Sequence, residues 1–164
     1  MSLLKDGALR QDPWVTVADD APLPDTGAPI VSLARWQRDR AKLRARNGDI
    51  GVRLPNAAPV EALADDLDRL ALVALEFPKF NDGRAFSQAR QLRERYRYTG
   101  ELRATGQVLR DQLLFMTRCG FDAFEVAKGD PVAAWASALA DFTVFYQPTG
   151  DGRATAAALR RAGE

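Results

Sequence analysis

Four charged residues, Arg53, Glu76, Arg103 and Glu125, sit late in successive short apolar runs, and their signs alternate along the chain. In a fold of repeated strand–helix units such positions fall at the carboxyl ends of strands, where parallel sheets bind ligands. Side by side they could face a polar ligand at one rim of the sheet. They could equally form an ion-paired layer that holds strand register. The loop after Glu76, Pro78-Lys79-Phe80-Asn81-Asp82-Gly83-Arg84, sets a lysine, an aspartate and an arginine where a helix should begin. Free backbone N–H groups at such a place favour anions. A second, weaker helix start, Thr105-Gly106-Gln107, leads to Arg110 and Asp111. Lys79, Arg84, Arg103 and Arg110 together could hold a phosphate, sulfate or carboxylate. Were the chain catalytic, Glu76 or Asp111 would carry the proton and Lys79 would be the electrophile or Schiff-base former.

A second cationic group lies on the helix expected around residues 85–96. Arg90, Arg93 and Arg97 fall near one of its faces, a candidate surface for an acidic protein partner, with Glu94 as an internal counter-charge. Nucleic acid is the less favoured partner, because Phe77, Phe80, Tyr96 and Tyr98 read as core or rim packing and not as a base-stacking platform. The net charge is only +1, but it is unevenly spread. Residues 59–82 hold six acids and two bases, whereas residues 84–118 hold eight arginines and three acids.

Absences narrow the chemistry further. The chain has no histidine, so a Ser-His-Asp triad, His-ligated zinc or haem, and imidazole acid–base catalysis are excluded. Cys119 is the only cysteine, which excludes an internal disulfide, a C-x-x-C pair and a self-contained iron–sulfur cluster. Its place between Met116 and Phe121 reads as a small buried residue. There is no G-x-G-x-x-G and no P-loop. Neither a metal nor an organic cofactor is therefore expected. No apolar run approaches the roughly 20 residues that cross a bilayer, and the N-terminus lacks a secretory apolar region, so a cytoplasmic location without membrane contact is the default expectation.

The elements that must position these residues follow from pattern. A length of 164 residues suits one domain and is too short for a closed eight-stranded α/β barrel of about 250 residues. Asp6-Gly7 between short apolar runs predicts a hairpin, and residues 19–29 read as a surface connector after Trp14. This N-terminal part, 1–29, is expected to be an appendage packed across the main sheet by Trp14. Strands are expected at 30–34, 50–54, 70–75, 101–104 and 121–126. Helices are expected at 36–46, 60–70, 85–96 and 108–119, and from Pro131 to about Tyr146. Asp82 and Asp130 are the expected caps of two of them. The last helix should bury Val132, Trp135, Leu139, Phe142 and Tyr146. One α/β domain over 1–148 with a tail at 149–164 results. It consists of consecutive β-α units with a mostly parallel sheet, either an open doubly wound sheet or a partial barrel with its helices on one face. The charged helices and the polar residue in each strand favour the partial barrel. An uncovered sheet edge would offer a route to a homodimer.

Several motifs also carry a family resemblance. They include Leu4-Lys5-Asp6-Gly7, Asp12-Pro13-Trp14, Gly51-Val52-Arg53-Leu54, Glu76-Phe77-Pro78-Lys79-Phe80, Gly100-Glu101-Leu102-Arg103-Ala104 and Arg118-Cys119-Gly120-Phe121. The chain, over roughly residues 4–146, resembles a bacterial, mainly proteobacterial, family of unknown function. The genes of that family lie beside those for assimilatory sulfite reductase and phosphoadenylylsulfate reductase. The resemblance implies a place in sulfate-to-sulfide assimilation, accessory to the reductases, with no catalytic residues to transfer. Two functions are thus expected: an accessory protein that binds one of those reductases, or a small-anion (sulfate, sulfite or phosphate ester) binding domain or enzyme built on the Lys79–Arg84 loop.

Overall fold

The computed structural model describes residues 1–127 and 129–162. Strands β1 (Ser2–Lys5) and β2 (Ala8–Arg10) pair antiparallel around Asp6 and Gly7, whose φ angles of 52° and 76° are those of the hairpin turn their sequence predicts. Strands β3 (Trp14–Thr16), β4 (Ala28–Ser32), β5 (Gly51–Leu54), β6 (Leu72–Phe77), β7 (Glu101–Gly106) and β8 (Ala123–Val126) follow, each parallel to the next. The sheet order is β2-β1-β8-β7-β6-β5-β4-β3. Because the parallel strands occur in unbroken sequential order, every crossover steps in the same direction and the helices collect on one face. A doubly wound sheet would need a reversal.

The N-terminal segment is not an appendage. It supplies both edges of the sheet, β2 at one end and β3 at the other, joined only by Gln11, Asp12 and Pro13. Four residue steps reach about 14 Å at most. Eight flat strands would set the edges roughly 34 Å apart. The sheet must therefore curl until its edges approach each other. The result is an eight-stranded half-barrel.

Helices α1 (Leu33–Arg38) and α2 (Arg40–Arg44) replace the single helix expected at 36–46, with the break at Asp39. Ser32 caps α1 by accepting the Arg35 N–H at 3.0 Å, which ends β4 earlier than its apolar run suggests. Residues Val60–Asp66 form a 3₁₀ helix, consistent with buried Val60 and Leu63 three positions apart. Helix α3 (Arg84–Arg90) widens into a π turn over Gln91–Arg95, and a short 3₁₀ turn at Arg110–Gln112 leads into α4 (Leu113–Arg118). Asp130 caps α5 (Pro131–Ala140) through the Ala133 N–H, as its sequence predicts.

Helix α5 stops at Ala140 and does not reach Tyr146. Arg110 holds Asp141 at 2.6 Å, and Phe145 leaves the helix axis to lie buried 3.9 Å beneath the Arg118 guanidinium. Phe142 and Tyr146 are consequently exposed; within α5, Val132 faces outward, Pro131 and Ala138 are buried, and Trp135 is half-buried. The segment after Pro148 remains attached: Asp151 meets Arg118 at 2.9 Å, and helix α6 (Ala156–Ala162) follows with no buried residue.

The main core lies between sheet and helices. Phe77 packs on Phe86 and Phe121, with ring centroids 5.2 and 5.7 Å away. Trp36 is fully buried and donates its indole N–H to Asp66 at 2.8 Å. The inner face of the curl holds a small apolar cluster, Ile30, Leu72 and Ala74 beneath Trp14. Next to it the inner face turns ionic.

Candidate functional site

Strand register decides which charges meet on the inner face. Arg53, Ala74, Arg103 and Ala123 stand at one level, and Glu76 is level with Thr105 one step nearer the carboxyl ends. Arg53 and Glu76 lie 3.8 Å apart, and Arg103 and Glu125 3.7 Å apart. The four thus form two pairs. Arg103 has nearer partners than Glu125. It is wholly buried, gripping both carboxylate oxygens of Asp12 at 2.7 and 3.0 Å and Glu101 at 2.8 Å. Lys5 closes the chain of contacts on Glu101 at 2.7 Å, and that hydrogen bond lifts the lysine pKa above its ordinary value. Burial opposes the charge of Arg103, but Asp12 and Glu101 outweigh it and favour the charged form.

Lys5, Asp12 and Glu101 were not among the expected site residues. Glu101 and Lys5 follow the strand alternation that flags Arg103, so their inward direction was available in the pattern. Asp12 had no such signal, because it lies between strands and reaches Arg103 only through the curl. Three cations, Lys5, Arg53 and Arg103, face four carboxylates, Asp12, Glu76, Glu101 and Glu125. A surface with that balance gives a small anion no net attraction.

The Lys79–Arg84 loop follows β6 and docks on the connection between β7 and α4. Gln107 accepts the Phe80 N–H at 3.0 Å, and Gln112 donates to the Phe80 carbonyl at 2.8 Å. Asp82 does not cap α3. Its carboxylate is taken by Arg84 at 2.6 and 2.9 Å, and that hydrogen bonding holds the Asp82 carboxyl far below the usual carboxylate range. The position before α3 is Gly83, with no side-chain cap. Arg110 is bound to Asp141 and to the Ser137 hydroxyl, while Asp111 is exposed beside it. The four cations expected to converge on an anion therefore do not. Arg84, Arg103 and Arg110 each hold a different carboxylate, and Lys79 is exposed without a salt-bridge partner among the described residues.

The arginine face is divided as well. Arg90 pairs with Glu94 one turn on, at 3.0 Å. Arg93 turns inward and donates to the carbonyls of Tyr98, Gly100 and Gly120 at 2.6, 2.8 and 3.0 Å, and to Asp122 at 2.9 Å. Tyr98 and Gly100 lie in the bend after the π turn and Gly120 lies just past α4, so their carbonyls fall outside any helix and the guanidinium fork satisfies them. Arg90 and Arg97 remain exposed, Arg97 on a left-handed residue with φ 55°. Arg93 is thus withdrawn from any partner-facing surface.

What the pattern did not reveal is an apolar cleft of about 200 Å³ at the carboxyl ends of β7 and β8, lined chiefly by Val108, Leu109, Leu113, Val126, Pro131 and Ala134. Around and beyond it, large apolar side chains stand exposed: Phe80 at 59%, and Phe115 and Phe142 with their rings 6.3 Å apart. Cys119 is half-buried, and burial pushes its thiol pKa up. Among the described residues no cluster of histidine, cysteine or carboxylate side chains is arranged to hold a metal ion. No described helix is long and apolar enough to cross a membrane.

No curated protein matches the chain significantly. The model of a family described as bacterial protein of unknown function, DUF934, matches residues 51–157, from β5 through the bridge between Phe145 and Thr155 to the start of α6. That match covers four of the eight strands, the helices from α3 to α5 and the apolar cleft, and the chain belongs to this bacterial family.

Proposed function

We propose that this protein is an accessory factor of assimilatory sulfate and sulfite reduction that binds a reductase, sulfite reductase or phosphoadenylylsulfate reductase, and carries no redox cofactor itself. The pathway rests on the family resemblance read from the sequence motifs. The binding role rests on one observation: Phe115 and Phe142 form an exposed aromatic pair, with Val144 and Tyr146 exposed next in the chain. Exposed aromatic groups of this kind are typical anchors of protein interfaces. The arginines offer less, since Arg90 is matched by Glu94 and Arg93 is committed to backbone carbonyls. In a pull-down of the reductase, Phe115→Asp with Phe142→Asp should abolish capture, while Lys79→Ala with Arg84→Ala should leave it intact. Undiminished capture by the Phe115→Asp, Phe142→Asp protein would refute this docking surface.

A second reading, a small-anion site at the Lys79–Arg84 loop, draws on the one exposed loop cation without an intramolecular salt-bridge partner among the described residues, Lys79. Under it sulfate, sulfite or inorganic phosphate raises the melting temperature, and Lys79→Ala removes the rise.

A further inference from the structure

The surface around Phe80 has a feature that neither reading uses. Phe80 is 59% exposed at the tip of its loop, yet the loop is held still. Its N–H and C=O are both bound by glutamine side chains, and the Gln112 amide that holds the Phe80 carbonyl also accepts the Leu109 N–H at 3.4 Å. One side chain thus ties the projecting Phe80 to Leu109, and Leu109 lines the apolar cleft. With its backbone anchored at both polar groups, the loop that carries this exposed aromatic side chain needs little further ordering on binding. A projecting ring and an apolar hollow fit for one side chain of that size therefore stand next to each other on one rigid face.

We propose that this face is the contact between two copies of the chain. In a twofold dimer a projection and a hollow on the same face satisfy each other twice, since whatever one protomer inserts the other inserts in return. Phe80 of each copy enters the cleft between Val108, Val126 and Pro131 of the other. The charges agree with this pairing. Lys79, beside the projection, has no salt-bridge partner among the described residues; Asp111 is exposed within the 3₁₀ turn that borders the hollow, and of the two charged residues lining it Asp130 is acidic and Arg110 is already bound to Asp141. Like charges at these positions would have opposed a twofold arrangement; opposite charges support it. The inference is independent of the proposed pathway and of the Phe115–Phe142 surface.

Sedimentation velocity over a concentration series up to about 100 μM, a range that reveals even weak association, tests it. The native chain should sediment as a concentration-dependent dimer. Phe80→Ala removes an anchor that symmetry places twice and should weaken association at least about 100-fold, with the thermal midpoint of the monomer unchanged because the side chain is exposed. Lys79→Glu should weaken it as well, and adding Asp111→Lys to that variant should restore it. A native chain that stays monomeric throughout the series, or a dimer indifferent to Phe80→Ala, overturns the proposal. Retention of reductase capture by Phe80→Ala would separate the two surfaces, whereas loss of capture without loss of the dimer would assign Phe80 to the partner and refute the twofold contact.

Discussion

Removing the carboxylate of Asp12 should loosen the closure of the half-barrel. Asp12 sits on the three-residue bridge between the two sheet edges, and its oxygens receive two hydrogen bonds from Arg103 at 2.7 and 3.0 Å. It also accepts the Trp14 N–H at 3.1 Å, which steers the chain into β3. Hydrogen bonds to a charged group contribute about 1.5–3 kcal/mol each. Asp12 is partly exposed, and Arg103 keeps Glu101 and Glu125 when Asp12 is lost. Asp12→Ala should accordingly cost about 2–3 kcal/mol, below the 3–5 of a buried charge left with no partner. With a urea dependence near 2 kcal/mol per molar, the unfolding midpoint should fall by roughly 1 M. Hydrogen exchange should accelerate in β3 before it does in β6. High salt should not mask the effect, because the guanidinium is enclosed. A double-mutant cycle with Arg103→Met should show a coupling of at least about 1 kcal/mol. A midpoint within about 0.3 M of the native value, or no coupling, would refute the view that this pair ties the sheet's edges together.

Asp66 receives Trp36, Arg40 and Arg44; burial pushes its carboxyl pKa up, but those hydrogen bonds prevail and hold it below its ordinary value. The stability it lends is present above the unfolded-state pKa and lost as pH falls through the folded one, so Asp66→Asn should lower stability at neutral pH by about 2–3 kcal/mol and flatten its acid decline in pH-dependent urea melts. Gly120 has φ 103°, and a methyl group there would collide with Arg93. Gly120→Ala should therefore cost more than about 1 kcal/mol and raise exchange at Glu101 and Leu102, whose N–H groups are bonded to the Ala71 carbonyl and to Asp122, as Arg93 releases its partners. Burial raises the Cys119 thiol pKa, so a thiol reagent at pH 8 should label native protein more slowly than an unstructured cysteine peptide, with the rates converging in denaturant.

Much of the architecture was legible in the sequence. Apolar runs alternating with helical patterns announced the β-α units, although their spacing is unequal, Asp6-Gly7 announced the hairpin, and Asp130-Pro131 the start of α5, because each is a local preference that a few neighbouring residues can satisfy. That Arg53, Glu76, Arg103 and Glu125 lie on successive strands was legible in the sequence; that they share the inner face was decided by register and curl. The ends of elements were harder. Arg110 with Asp141 and the Arg118–Phe145 contact cut α5 short through side chains distant in sequence.

What the chain alone determined, then, was the alternation of strands and helices, the absence of histidine chemistry and the sign of each charge. What only the tertiary structure decided was which charges remain unmatched. Arginine reaches far, and its partner is set by the curl and by turn geometry: Asp12 meets Arg103 because the sheet bends, and Arg93 leaves the surface because carbonyls in the bend before β7 and past the end of α4 converge on it. Composition placed a basic stretch at 84–118; folding spent most of its charge internally and left Phe80, Phe115 and Phe142 on the outside. Pairing depends on contacts across the fold, and no local pattern encodes those.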